Sequence, residues 1–290
     1  MLQSRLVSQG HQGPIYAVDI NQSWVYTSAG DRFIARWNIA TGEQDKFSIQ
    51  LEKPAYCITF FKHYLFVGCT NGAVVCIDVA TKDLLWETNL FGHSIFSLLY
   101  HEQSKLLFVG DGESNLYALS ETGVKKVAFN LAAGKIRSLA AAEKKLFAGC
   151  QDGKIRVFDS ETLNETADIV AHNGSVNTLL YNEATKQLYS GGTDGHLSII
   201  DCANFQQVRT VPAHYQTVYD LKLFNDKLIS SSLDKSIKIW TLESLTVDQK
   251  LTAQQKGHSK SVNKLAVIND HSFVSVGDDK RLIFWDLKTI

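Results

Sequence analysis

The side chains of this 290-residue sequence that could carry chemistry are nine histidines, five cysteines and the adjacent aspartates Asp278 and Asp279. Histidine and carboxylate groups can act as general bases or metal ligands. Their spacing supports neither use. His101-Glu102 begins the two-histidine zinc-protease motif, but Lys105 stands where that motif requires its second histidine. Phosphate-loop, nucleophile-elbow and dinucleotide motifs are also missing from the sequence, which therefore predicts no catalytic residue, no metal site and no cofactor.

The cysteines also lack a reactive pattern. They are odd in number and include no Cys-x-x-Cys pair, and Cys57, Cys69, Cys76 and Cys150 lie in apolar, strand-like runs. A thiol in such a run behaves as a small hydrophobic group, so we expect buried, reduced cysteines. No apolar run approaches the length of a membrane span and no signal-like leader opens the chain. The predicted location is cytoplasmic, with no membrane contact.

The elements that carry these residues follow one repeat along the whole sequence. A turn residue, usually Asp or Asn, is followed six positions later by Trp or a bulky apolar residue, and successive turn residues lie 40, 42, 39, 42, 40 and 45 apart. This period is typical of four-stranded propeller blades. It predicts an all-β fold with seven blades in a single domain, residues 1–290. The pairs are Asp31/Trp37, Asn71/Ile77, Glu113/Leu119, Asp152/Phe158, Asp194/Ile200, Asp234/Trp240 and Asp279/Trp285.

Short motifs within the repeats indicate a family resemblance. Gly10-His11 and Gly257-His258 precede the first strands of blades one and seven, and Trp285-Asp286 ends the third strand of blade seven. Over its full length the chain resembles the WD-repeat family. This resemblance implies a seven-bladed β-propeller of four-stranded antiparallel blades.

The resemblance also implies a hydrogen-bond network inside each blade. The turn Asp accepts from the His before the blade, the His meets a Ser or Thr on the second strand, and that hydroxyl meets the Trp ring nitrogen on the third. All four members are present in blade one (His11, Thr27, Asp31, Trp37), blade six (His214, Ser230, Asp234, Trp240) and blade seven (His258, Ser275, Asp279, Trp285). Blade five has Ile200 in place of Trp, and Val67, Val109 and Ala148 replace the hydroxyl in blades two, three and four.

The two ends of the chain predict how the ring closes. Only four residues follow Trp285-Asp286, which is too few for a fourth strand in blade seven. The segment Leu2 to Val7 precedes the first Gly-His and has no other predicted partner. We expect it to form the outer strand of blade seven and so to cover an open sheet edge.

Charge argues against one class of partner. Lys and Arg number 29 and Asp and Glu number 30, and the two signs are interspersed. Nucleic-acid binding needs a basic stripe, and none is visible, so we expect no direct contact with nucleic acid. The resemblance implies protein or peptide partners instead. We expect a non-enzymatic scaffold that is a monomer or a subunit of a larger complex.

A candidate binding surface follows from the start of each first strand, which in the family lies on the face that grips peptides. Aromatic side chains recur there, followed by two cations in blade four. Aromatic rings bury large areas and Arg binds carboxylates, so the set suits a peptide with an apolar anchor and an acidic group. The predicted partner-binding residues are Pro14, Tyr16, Tyr56, Phe96, Lys135, Arg137, Tyr219 and Asn263.

An enzymatic alternative stays open at this stage. The segment from Asn71 to Trp86 resembles a repeat of the quinoprotein propellers, in which a Trp docks between blades. Trp86 can equally be a core residue at a blade interface. A quinoprotein-like or loop-built propeller enzyme would need convergent charges, for which Asp278, Asp279, Lys135 and Arg137 are the candidates.

Overall fold

The computed structural model describes residues 1–90, 92–142 and 144–287, and these form seven four-stranded antiparallel sheets. Two compact units contain them: Met1–Ala55 with the chain from His214 onward, and Tyr56–Ala213. Within the described residues, no helix has the length and apolar character needed to cross a membrane.

The first unit holds blades one, six and seven. Blade one consists of β2 (Ile15–Asn21), β3 (Trp24–Ala29), β4 (Phe33–Asn38) and β5 (Gln44–Gln50). Blade six consists of β22 (Val218–Phe224), β23 (Lys227–Ser232), β24 (Ile237–Thr241) and β25 (Val247–Leu251), followed by a 3-10 turn at Ala253–Gln255. Blade seven consists of β26 (Val262–Asn269), β27 (Ser272–Gly277), β28 (Arg281–Leu287) and the N-terminal strand β1 (Leu2–Gln9).

The second unit holds blades two to five. Blade two has β6 (Ala55–Phe61), β7 (Tyr64–Cys69), β8 (Ala73–Asp78) and β9 (Leu84–Asn89), where the first residue of β6 belongs to the other unit. Blade three has β10 (Ile95–His101), β11 (Leu106–Asp111), β12 (Asn115–Ser120) and β13 (Lys125–Asn130). Blade four has β14 (Ile136–Ala142), β15 (Lys145–Cys150), β16 (Lys154–Asp159) and β17 (Glu165–Val170). Blade five has β18 (Val176–Asn182), β19 (Gln187–Gly192), β20 (His196–Asp201) and β21 (Gln207–Pro212).

The repeated turn residue stabilises the tight turn between the second and third strands. In blade one the Asp31 carboxylate accepts from the Phe33 N–H at 3.1 Å, and the residue between them, Arg32, has a φ of 71°. Asp and Asn favour such turns because their short side chains bond to the backbone two residues on. The same bond comes from the backbone N–H of Ala73, Lys154, His196, Ser236 and Arg281 in blades two, four, five, six and seven.

The hydrophobic core is divided among neighbouring blades. In the first unit, Ile15 and Trp37 of blade one pack with Phe284 of blade seven. In the second, Phe66 of blade two and Leu107 of blade three share one cluster. Each blade presents apolar side chains from both of its sheet faces, so its second strand is a nearly continuous buried run. This arrangement lets a long chain form several small cores in series.

The N-terminal strand completes blade seven. It runs antiparallel to β28, with Leu2 opposite Leu287 and Gln9 opposite Arg281. The register skips Arg5, whose guanidinium pairs with Asp286 and donates to the carbonyls of Ile39 and Ala40 in the β4–β5 turn. The predicted fold class is confirmed: an all-β, seven-bladed β-propeller of four-stranded antiparallel blades, its ring closed by the N-terminal strand.

Candidate functional site

Five of the eight predicted surface residues, together with Asn177, share a backbone feature that spacing does not reveal. The second residue of a first strand is the extra residue of a β-bulge, because the register with the second strand skips it. Bulges redirect a side chain out of the regular alternation and are common beside functional sites. The skipped residues are Tyr16, Phe96, Arg137, Asn177, Tyr219 and Asn263.

In the second unit four predicted residues lie together, and we call Tyr56, Phe96, Lys135 and Arg137 the aromatic–cationic patch. The Tyr56 and Phe96 rings are stacked, with centroids 5.3 Å apart and planes 14° from parallel. Lys135 Nζ lies 5.3 Å and Arg137 Cζ 5.1 Å from the Phe96 centroid. All four side chains are only partly buried. The patch therefore combines a ring stack with two cations over the Phe96 ring.

Neighbouring loops hold this patch in place. The Ser94 hydroxyl donates to the Thr70 carbonyl at 2.9 Å, which ties the loop before β10 to the turn of blade two. The Lys135 N–H donates to Gln151 Oε1 at 3.1 Å. These two bonds anchor the loops that carry the patch.

The predicted residues of the first unit are engaged in different ways. A Cβ added at Gly30 would lie 3.3 Å from both Pro14 Cδ and Tyr16 Oη, so these side chains cover that turn. The Asn263 amide donates to the Ile15 carbonyl at 2.9 Å and to Asp278 Oδ1 at 2.8 Å. Asn263 thus joins blade seven to blade one. Tyr219 is half-buried at the bulge of blade six.

The network residues also lie together in blades one, six and seven. His11 Nδ1 lies 2.9 Å from Asp31 Oδ2, His11 Nε2 lies 2.7 Å from Thr27 Oγ1, and Trp37 Nε1 donates to the same hydroxyl at 2.8 Å. The corresponding contacts measure 3.0, 2.7 and 2.8 Å in blade six, through His214, Ser230, Asp234 and Trp240. They all measure 2.8 Å in blade seven, through His258, Ser275, Asp279 and Trp285.

Burial and hydrogen bonding shift the pKa values of the histidines and aspartates in this network. Burial lowers the pKa of His11, His172 and His214, although the partner aspartate acts in the opposite direction. Burial alone would raise the pKa of Asp234, but hydrogen bonds from His214 and Ser236 outweigh it and hold that pKa well below its usual range. The histidines are therefore neutral and the aspartate ionised near neutral pH.

Blade three contains an acceptor that the repeat pattern did not identify. Glu113 occupies the turn position but is exposed, and its N–H donates to Asp111 Oδ1 at 2.9 Å. Asp111 is fully buried and also accepts from the Asn115 N–H, the Asn115 amide and the Tyr117 hydroxyl. In the sequence, Asp111 could have been recognised only as an aspartate two residues before the expected turn position. The carboxylate of blade three thus comes from the end of the second strand.

Trp86 is partly buried and packs against the core cluster shared by blades two and three. Its ring centroid is 5.9 Å from that of Phe66, and its Nε1 donates to the Glu121 carbonyl at 2.7 Å. Gly123, with a φ of 76°, faces it, and a Cβ there would lie 2.6 Å from Trp86 Cε3. Both the left-handed backbone and the close ring require glycine.

The chemically reactive groups are used structurally. All five cysteines are buried and free, and burial raises the pKa of the Cys76 and Cys150 thiols to about 12, far from the thiolate form needed for reaction. Asp278 accepts from Ser261 and Asn263, and Asp279 accepts from His258. Among the described residues, no cluster of three or more His, Cys, Asp or Glu side chains could hold a metal ion.

Comparison with known families finds WD repeats. The profile named WD domain, G-beta repeat matches residues 164–201, 205–241 and 249–286. Each match starts at the outer strand of one blade and ends with the third strand of the next, so the sequence repeat is offset from the blade by one strand. The matched repeats cover the first three strands of blades five, six and seven. No curated protein matches the chain.

Proposed function

We propose, from the premise that this chain is a seven-bladed β-propeller carrying WD40 repeats, that it is a non-enzymatic scaffold which binds a peptide segment of a protein partner. Propellers with WD40 repeats generally mediate protein interactions. The aromatic–cationic patch is the observation that best supports a particular surface for this role.

The chemistry of the patch defines the partner segment. The stacked Tyr56 and Phe96 rings offer a flat apolar surface, which suits an aliphatic or aromatic anchor side chain. Arg137 can bind a carboxylate through two parallel hydrogen bonds, and Lys135 adds a second positive charge. We therefore expect a peptide with one apolar side chain next to an acidic residue.

The bonding of the candidate catalytic groups supports the non-enzymatic part of the proposal. Asp278 and Asp279 accept hydrogen bonds that hold blade seven, and Lys135 and Arg137 lie beside Phe96. The buried cysteines support a reducing compartment, so the cytoplasm stays the predicted location.

The test begins with the tagged full-length protein, expressed in its native host, and with mass spectrometry of the proteins that co-elute. A peptide from the main partner is then titrated against the wild type and the Tyr56→Ala/Phe96→Ala variant. We expect the variant to bind more weakly by about 1–4 kcal/mol, with the same melting temperature, because hot-spot aromatics carry much of an interface energy.

Phe33→Ala is the matched control, because Phe33 is also a partly exposed ring but lies at the start of β4. It should bind the peptide as the wild type does. Unchanged affinity in the double variant would place the partner site elsewhere on the protein.

A further inference from the structure

A second surface lies in the first unit, beside blade six. An open cleft of about 710 Å³, which we call the blade-six cleft, is formed where the 3-10 turn at Ala253–Gln255 lengthens the connection to blade seven. Cationic, hydroxyl and amide side chains dominate its wall. The lining residues are Asp234, Lys235, Lys250, Thr252, Ala253, Gln254, Gln255, His258 and Ser259.

Positive charge is concentrated at this cleft. Lys250 lies directly opposite Lys238 across strands β24 and β25. Like charges in that position repel and destabilise the pair of strands. Burial lowers the pKa of Lys238, and the charge of Lys250 lowers it further. Within the described ranges, neither Lys235 nor Lys250 forms an ion pair.

The carboxylates nearest to the cleft are already occupied. Asp234 accepts from His214, from Ser236 and from the Tyr215 N–H, and its side chain is only 7% exposed. Asp279 is bound to His258 and is 4% exposed. The exposed charge of the cleft is therefore positive.

An exposed aromatic ring extends this surface. Tyr215 is 90% exposed, the most exposed aromatic side chain of the described residues, and Lys250 Nζ lies 5.7 Å from its ring centroid. Its backbone is fixed, because the Tyr215 N–H donates to Asp234 at 3.3 Å. A ring held in solvent next to Lys250 can pack on the apolar part of a ligand while the lysine binds its charge.

We propose that the blade-six cleft binds an acidic polypeptide segment, with its carboxylates at Lys235 and Lys250 and an apolar side chain on Tyr215. A carboxylate at Lys250 would offset the repulsion between Lys250 and Lys238. The Gln254 amide and the Ser259 hydroxyl, which also line the cleft, can bond to the peptide backbone. This site uses none of the residues of the aromatic–cationic patch, so the two proposals can fail independently.

The test uses the full-length protein and a short fluorescent peptide in which glutamates flank one leucine. Binding is measured by fluorescence anisotropy at low salt. We expect Lys235→Gln/Lys250→Gln to weaken binding about tenfold or more. A tenfold loss corresponds to the removal of a charged contact worth about 1.4 kcal/mol. Lys105→Gln/Lys126→Gln, which removes two exposed lysines elsewhere, is the matched control and should bind as the wild type does.

Tyr215→Ala should also weaken binding. Lys235→Gln/Lys250→Gln should weaken it again in the Tyr56→Ala/Phe96→Ala background, where the aromatic–cationic patch cannot bind the same peptide. A peptide with glutamine in place of glutamate should not bind. The proposal is overturned if the wild type does not bind the acidic peptide, or if both lysine pairs lose affinity equally. An oligonucleotide that binds as tightly, with the same dependence on Lys235 and Lys250, would overturn the choice of a polypeptide.

Discussion

In blade one the Thr27 hydroxyl determines which atoms donate and which accept in the four-residue network. Trp37 Nε1–H can only donate, so Thr27 Oγ1 accepts from it and gives its own proton to His11 Nε2. His11 Nδ1–H then donates to Asp31. A neutral histidine satisfies every polar atom in this arrangement. A protonated one would direct a second N–H at the hydroxyl and leave the hydroxyl proton without an acceptor.

The hydrogen bonds also distinguish turn residues that only stabilise a turn from turn residues that also complete the network. We expect Asp234→Ala to cost about 1–3 kcal/mol of unfolding free energy, because it removes the acceptor of His214 and Ser236. Asn71→Ala should cost less, since only the turn bond from Ala73 is lost. Glu113→Ala should cost least, because that side chain is exposed.

Chemical denaturation of these three variants measures how much unfolding free energy each one loses. Equal losses, or the greatest loss in Glu113→Ala, would contradict a stabilising role for the network in blade six.

Protonation of the network predicts a dependence of stability on pH. The pKa of His11, His172 and His214 is lower in the folded state than the ordinary value of 6.5, so the unfolded chain binds more protons below that pH. Their contribution is complete above pH 6.5 and is lost as the pH falls toward the folded pKa. The lowered pKa of Asp31 and Asp234 adds a second loss, but only below the ordinary value of 3.8.

Melting temperatures between about pH 7.5 and pH 5.5 should therefore fall with the pH. His93→Gln, at an exposed histidine, should not change this slope. A melting temperature that is constant or rises on acidification would show that the buried histidines do not carry the dependence.

At the scale of elements, the sequence predicted what depends on residue type and missed what depends on register. The turn Asp of blade one, Asp31, and its Trp37 are examples of residue types that repeat along the sequence. They repeat because a tight turn and a buried hydrogen-bonded ring each need a particular side chain. The bulge at Tyr16 or Phe96 needs no particular residue, since the six skipped positions hold Tyr, Phe, Arg and Asn. Only the register of a folded sheet shows that these side chains are redirected together.

The sequence also located two irregular elements incompletely. The spacing of 45 between Asp234 and Asp279 exceeds the other spacings, and the 3-10 turn at Ala253–Gln255 accounts for extra residues there. The length indicated an insertion but not the cleft that it forms. Asp111 was missed because its carboxylate reaches the turn from the end of β11, outside the repeated position.

At the scale of the whole molecule, stability depends on a strand that is far in sequence from the sheet it completes. Leu2 is buried with Phe273 and Trp285, and its backbone N–H and carbonyl bond to the Gln249 side chain of blade six at 2.9 and 2.8 Å. On the other side, Arg5 donates to the β4–β5 turn, and Ser8 Oγ donates to the Gly42 carbonyl at 2.5 Å. The strand thus joins blade seven to both of its neighbours in the first unit.

Deleting residues 1–9 should therefore lower the unfolding free energy by several kcal/mol, since each lost backbone bond contributes about 1 kcal/mol and Leu2 leaves the core. The exposed edge of β28 would also invite pairing between molecules, so the truncated protein should aggregate. Calorimetry and size-exclusion chromatography measure the two effects. Arg5→Ala, which keeps the strand but loses its bonds to Asp286 and the β4–β5 turn, should be monodisperse and only modestly destabilised. A truncated protein that melts and elutes like the wild type would mean that β1 does not hold blade seven closed.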